Sequence, residues 1–274
     1  MSIKLSVTTL GCPEWDMETI LKRVAEYGYQ GIDFRGYLAD VDLRQSPAFT
    51  SGRAETAARV RDSGLLVSCL ASSAKMFEST AEKRQASLDE MKGYVEMCAD
   101  FGAPFVRIFG GALGGVSMEA AMPIAADMLQ QAAAIARDAG ITIVVETHDD
   151  WVATKPLREA FDLAGNPEGV AFLWDVNHPY RSAGETPIES FKNIGRMTRY
   201  THWKDSRLTP EGKTEHCLVG EGGLPLKEIY QLLRDSGYDG WYTLEWEKRW
   251  HRDLAEPEIA FPGYVKTMRA IAAG

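Results

Sequence analysis

With 274 residues, 45% of them apolar, the chain can bury one large core, and its net charge of -9 repels a phosphate backbone, so nucleic acid is a poor partner. The four cysteines, Cys12, Cys69, Cys98 and Cys217, form no CxxC pair, which speaks against a disulfide scaffold or a structural zinc site and fits a reducing cytoplasm. The start, MSIKLSVTTLGCPEWD, lacks a basic end followed by a long apolar stretch, and no run elsewhere approaches a membrane span, so neither export nor insertion is expected.

Short β-like runs recur along the chain. The first, LSVTTL from Leu5, runs into Leu10, Gly11, Cys12, Pro13 and Glu14 with no GxGxxG phosphate loop, which disfavours an open doubly wound sheet. Glu14 and Trp15 follow it and either wall a pocket, with the Trp15 ring free to stack on a ligand, or serve as plain packing. Asp16 is placed to cap a helix over Met17 to Tyr27, where Ile20, Leu21, Val24 and Ala25 keep helical apolar spacing.

GIDFRG from Gly31, LLVSCLA from Leu65 and PFVRIFGG from Pro104 are the next three runs. A helical pattern from Ala121 to Ala139 leads to ITIVVE from Ile141, and VAFLWDV from Val170, RYTHWKD from Arg199 and WYTLEWE from Trp241 complete the set. Helices are expected to close on Gly28, Gly64, Gly102, Gly140 and Gly237, each just before a strand. Eight strand–helix units in about 250 residues predict one domain over 1–274, a single (β/α)8 TIM barrel with its site at the C-terminal ends of the strands.

The last four strands each end in a residue that can ligate a metal: Glu146, Asp175, His202 and Glu245. Three converging buried carboxylates would repel one another, a cost that a divalent cation removes, so the set predicts one metal centre. Alternation along the strand puts His202 and Lys204 on one face, and Lys204 either enters the pocket, steadying an oxyanion or protonating a leaving hydroxyl, or pairs with Asp205 or Asp175. Glu247 shares a face with Glu245 and replaces it as ligand if the register is shifted. Arg107 and His148 are secondary pocket candidates, and His251, in KRWHRD, reads as a solvated charged loop.

The layout with ETH, WDVNHP, HWKD, GEGGLP and LEWE resembles the xylose isomerase-like TIM barrel superfamily over nearly the whole chain, in the sugar phosphate isomerase and epimerase branch. That branch includes D-tagatose 3-epimerase, hydroxypyruvate isomerase, inosose dehydratase and 3-dehydroshikimate dehydratase. The resemblance implies Glu146, Asp175, His202 and Glu245 as metal ligands, Glu146 and Glu245 as the catalytic acid and base, and His178 at the substrate. It also implies that His216, just before LVGEGGLP, is a loop residue at the metal or substrate.

The implied activity is a divalent-metal-dependent isomerase or epimerase of a sugar or sugar phosphate, acting through a metal-bound enediolate. Mn²⁺ is the expected ion, with Mg²⁺, Co²⁺ or Zn²⁺ as alternatives, and a dehydratase of the inosose or 3-dehydroshikimate type is the closest rival. An apurinic endonuclease shares the barrel and ligand core but needs extra histidines from early strands, and no histidine precedes His148. The expected partner is a small carbohydrate or polyol-derived substrate, with no nucleic acid or membrane, and a homodimer is the default assembly.

Overall fold

The computed structural model describes residues 3–274. Eight parallel strands close into one barrel: β1 (Lys4–Thr8), β2 (Gly31–Phe34), β3 (Leu66–Lys75), β4 (Phe105–Phe109), β5 (Thr142–Glu146), β6 (Val170–Asp175), β7 (Thr198–Trp203) and β10 (Trp241–Leu244). Around the ring they run β1-β10-β7-β6-β5-β4-β3-β2, a (β/α)8 TIM barrel as the sequence predicts. Every residue of GIDF in β2 and of VAFLWD in β6 is buried, because a parallel strand has helices on one face and the barrel interior on the other.

By compactness the chain divides into two units, one of residues 1–68 with 200–274, the other of residues 69–199. In the first, β1 pairs with β2, setting Thr8 opposite Asp33, and β10 pairs with β7, setting Thr243 opposite His202. Helix α1 (Met17–Tyr27) starts where the Asp16 carboxylate accepts the Thr19 N–H at 2.8 Å. It stops at Gly28, whose φ of 90° lets its N–H return to Ala25 and Val24. Helices α2 (Arg53–Asp62), α8 (Leu226–Asp235) and α9 (Pro257–Ala273) complete the unit. Within it Ser68 Oγ lies 2.6 Å from Ser6 Oγ and 2.8 Å from Tyr200 Oη, a buried polar chain that satisfies three hydroxyls.

The expected seventh strand, drawn through Asp205, is corrected: β7 ends at Trp203, and Asp205 opens an antiparallel hairpin of β8 (Asp205–Leu208) and β9 (Thr214–Cys217). The intervening Thr209, Pro210, Glu211 and Gly212 turn the chain, with Gly212 at φ 78°. The buried Asp205 carboxylate anchors the segment beyond the hairpin. Oδ1 accepts N–H groups from Ser206 at 2.8 Å and Leu224 at 3.2 Å, and Oδ2 accepts those of Gly220 and Gly222 at 3.0 Å each. The GEGGLP motif is thus a backbone cradle for one carboxylate, and a Cβ on Gly222 would stand 2.1 Å from Asp205 Oδ1.

In the second unit β4 pairs with β5 and β5 with β6, setting Ile108 opposite Val145 and Glu146 opposite Leu173. Helices α3 (Ala81–Phe101), α4 (Met118–Ala139), α5 (Thr154–Leu163), α6 (His178–Ser182) and α7 (Pro187–Ile194) belong here. α4 starts three residues before the expected Ala121, capped by Ser117, and packs through an alanine-rich stripe including Ala125, Ala132 and Ala136. Gly102 and Gly140 end α3 and α4 in the left-handed conformation the sequence predicts. No helix among the described residues is long and apolar enough to cross a membrane.

Candidate metal centre

Glu146 is the last residue of β5 and fully buried, a position a carboxylate tolerates only with a counter-charge. Arg107, two residues before the end of β4, supplies one: its Nε lies 3.4 Å from Glu146 Oε2. The guanidinium is itself held, donating from Nη1 to Ser72 O at 3.0 Å, with its Cζ 3.8 Å from the Phe109 ring centroid.

Asp175 ends β6, where the chain turns into α6. Its Oδ1 accepts the N–H groups of Asn177 at 2.8 Å and His178 at 3.0 Å, which fixes the carboxylate's orientation. The Thr147 hydroxyl accepts the Asp175 N–H at 3.1 Å and ties the ends of β5 and β6 together. His178 stands beside this pair, with Nδ1 at 3.1 Å from Thr147 O and 3.8 Å from Asp175 Oδ1. Its ring meets that of His148 edge-on at 4.7 Å, and His148 Nδ1 lies 2.8 Å from Asp149 Oδ1.

On β7, His202 is fully buried between two carboxylates: Nε2 lies 3.2 Å from Asp33 Oδ2 and Nδ1 lies 3.3 Å from Glu245 Oε1. Glu245 follows β10 directly, and its N–H donates to Trp203 O at 2.9 Å, extending the strand pairing by one residue. Lys204, 1% exposed, donates to Glu245 Oε2 at 2.6 Å and to Glu247 Oε1 at 2.5 Å. Strand alternation therefore brings His202 and Lys204 onto the same glutamate. Burial alone would raise the Glu245 carboxyl, but the charge of Lys204, then that of His202, with a hydrogen bond from each, holds it well below the ordinary range. Glu247 is raised by burial and by the charge of Glu245, but the charge and hydrogen bond of Lys204 together with the charge of His216 leave it below its ordinary value.

Glu146, Asp175, His202 and Glu245, all buried, each offer one ligand atom, and these atoms lie within 4.8 Å of one another. Three carboxylates and one imidazole suit a hard or borderline divalent ion, and that many buried acids around one point fit a cation better than any neutral occupant. Glu247 falls outside this set and groups instead with His216, on β9, and His251. Trp15, half-buried, meets Phe261 edge-on at 5.6 Å and lines a groove of about 380 Å³ with Lys248 and Arg252.

Asp33 is the site residue that reading the sequence missed. Its signal was present: a carboxylate inside GIDF, a strand too apolar to leave that side chain in solvent.

The chain belongs to the xylose isomerase-like TIM barrel family, whose model matches residues 21–263. Inosose dehydratase of Lacticaseibacillus casei is 28% identical over 128 residues, 41% of this chain and 43% of that protein. Fructoselysine 3-epimerase of Shigella flexneri is 25% identical over 169 residues, 59% of each. The matches thus span about half the length of these relatives. Among solved structures, the IOLI protein with a binding zinc atom superposes with a TM-score of 0.83 at 16% identity over 98% of both chains, a likeness of fold.

Proposed function

We propose that this member of the xylose isomerase-like barrel family is a divalent-metal-dependent isomerase or epimerase of a small carbohydrate, free or phosphorylated, that moves a proton next to a carbonyl. The observation that carries this reading is the buried donor set of Glu146, Asp175, His202 and Glu245. A divalent ion held there, Mn²⁺ first and Mg²⁺, Co²⁺ or Zn²⁺ as alternatives, would supply the Lewis acidity that makes a C–H beside a carbonyl removable near neutral pH.

The chain's own residues supply the proton traffic. Glu146 and Glu245 stand on strands two apart from adjacency in the ring, with β6 and β7 between them. One carboxylate takes the proton and the other returns it, to the opposite face for epimerisation or to the neighbouring carbon for isomerisation. Lys204 and His202 hold the Glu245 carboxyl well below its ordinary range, and the Arg107 guanidinium stands 3.4 Å from Glu146 as its counter-charge. Asp33 holds His202 by one nitrogen and so presents the other toward Glu245. His178, Lys204, His216 and Trp15 are assigned to the substrate.

Dehydration is the second reading, and the Lys204 ammonium favours it. Held against Glu245, it is an acid within the centre that could protonate a departing β-hydroxyl after the same proton abstraction. The inosose dehydratase and fructoselysine 3-epimerase matches support the shared first step more than either outcome. A reducing cytoplasm is proposed as the compartment, in keeping with four buried thiols outside any disulfide, and a homodimer as the assembly.

The test is proton NMR of the Mg²⁺-loaded protein in D2O with a panel of ketoses, inososes and 3-dehydroshikimate. Deuterium entering beside a carbonyl with wild type and not with Glu146→Gln supports the reading, and the product distinguishes epimer from alkene. No exchange with any member by the metal-loaded protein overturns it.

A further inference from the structure

We infer that the chain carries a second divalent-cation site, made by His216, Glu247 and His251, suited to Zn²⁺ or Co²⁺ rather than Mg²⁺. Each of the three offers one ligand atom, and these atoms lie within 4.8 Å of one another. The inference rests on the geometry of this cluster and not on the carbohydrate chemistry proposed above, and an ion held there would take His216 from the substrate role given to it.

Backbone geometry builds the cluster. After β10 the chain turns, and the His251 N–H donates to Glu247 O at 3.0 Å, which returns His251 to the side of Glu247. There Nε2 of His251 stands 3.6 Å from Glu247 Oε2. Two donors on a tetrahedral Zn²⁺ with bonds near 2.0 Å are about 3.3 Å apart, so the pair needs to close by only a few tenths of an ångström. The third donor comes from the hairpin, where His216 pairs with Ser206 across the strands and its ring centroid lies 5.4 Å from that of His251.

The glutamate is already aimed. Its Oε1 is held by Lys204 at 2.5 Å, so the carboxylate cannot swing away and Oε2 is the oxygen that faces His251. A charged donor on the outer oxygen of a ligating carboxylate is the arrangement that orients such ligands. Two imidazoles and one carboxylate form a borderline-soft set that favours Zn²⁺ or Co²⁺ over Mg²⁺, which prefers oxygen donors and retained water. Both histidines line a cavity of about 420 Å³ together with Trp246 and Leu254, leaving room for water or a ligand in the open position. The two centres would share one ion-paired bridge, from Glu245 through Lys204 to Glu247.

The experiment is equilibrium dialysis of the chelator-stripped protein against Zn²⁺, with bound metal counted per chain. Wild type, His216→Gln with His251→Gln, and Glu146→Gln with Asp175→Asn are compared, and circular dichroism verifies folding. Two ions in wild type and one in each double variant is the expected result, the histidine pair costing the second ion at least tenfold in affinity. Equal uptake by wild type and the histidine variant overturns the second site. A single wild-type ion lost only with Glu146 and Asp175 also overturns it, whereas a single ion lost only with the histidines supports it and sinks the buried centre instead. If the histidine pair fails to fold, His251→Gln alone carries the same comparison, since that side chain is 48% exposed.

Discussion

Asp33 Oδ2 lies 3.2 Å from His202 Nε2 with both side chains fully buried, so an imidazole that faces the centre is braced from behind by a carboxylate 169 residues away in sequence. That brace fixes the orientation of the ring. Asp33→Asn should keep the volume and lose the charge, weakening metal binding by about 10–100-fold. Equilibrium dialysis against Mn²⁺ measures this, and an unchanged affinity would reduce the contact to packing.

Glu146→Gln and Glu245→Gln should each lower solvent-proton exchange into substrate by about 10²–10⁴-fold, the usual share of a positioned acid or base. Glu247→Gln should cost far less, because Glu247 lies outside the buried donor set. Chelation should abolish exchange in all three and Mn²⁺ should restore it only where both inner glutamates remain. Equal losses for Glu245 and Glu247 would mean that the second carboxylate does the chemistry.

How far the sequence foretells this centre depends on whether the signal is local. Parallel strands buried on both faces read as apolar runs, and glycines at φ near 64° to 90° close the helices ahead of them, so the barrel rhythm and the grouping of four strand-end donors were legible. For Asp33 only half of the signal is local: GIDF shows a buried acid, but its partner His202 is reached only after the ring closes. The hairpin was hidden for another reason: Lys204 and Asp205 look like the polar end of a strand, and only the backbone donors of the GEGGLP segment reveal that Asp205 begins something new. His251 reads as a solvated loop and is an exposed loop residue, but only the folded turn at Glu247 shows that it stands over that carboxylate.

Lys204→Met removes the cation shared by Glu245 and Glu247 and should cost about 3–5 kcal/mol at neutral pH, the usual result of leaving a buried charge unpaired. The pH dependence has a definite sign. Wild-type Glu245 is held below its ordinary 4.5, so its contribution is full above that value and lost as pH falls through the lower folded value. In the variant the uncompensated carboxylates are raised instead, so the penalty should shrink on acidification. Urea melts of the chelator-stripped proteins at pH 7 and pH 4 decide it; a constant difference between the two rules the ion pair out as the cause.

Gly222→Ala should destabilise by about 1–3 kcal/mol, since a Cβ there would meet Asp205 Oδ1 at 2.1 Å and the carboxylate is held by four N–H groups and cannot retreat. Asp205→Ala should cost about as much or more by stranding those donors. Thermal melts test both, and a neutral Gly222→Ala would show the cradle to be loose.

All four cysteines are buried and outside any disulfide, and burial pushes the Cys98 thiol up to about 12. A thiol-specific reagent at pH 8 should therefore label the native protein slowly and all four positions once it is unfolded in guanidinium. Rapid labelling of the native state would reveal an opening of the fold on the timescale of the reaction.

The clamp on Asp205 also separates what is fixed from what is free to vary. One carboxylate receives N–H groups from both the entry of the hairpin, at Ser206, and the segment that leaves it, at Gly220 to Leu224. Everything between is an excursion whose two ends are pinned at a single point, and doubling the length of such a loop costs only about 0.6 kcal/mol. Lineages can lengthen, shorten or exchange that excursion, His216 with it, while the buried donors stay where they are. The barrel thus offers a grafting point, where the excursion can change without disturbing the buried donors.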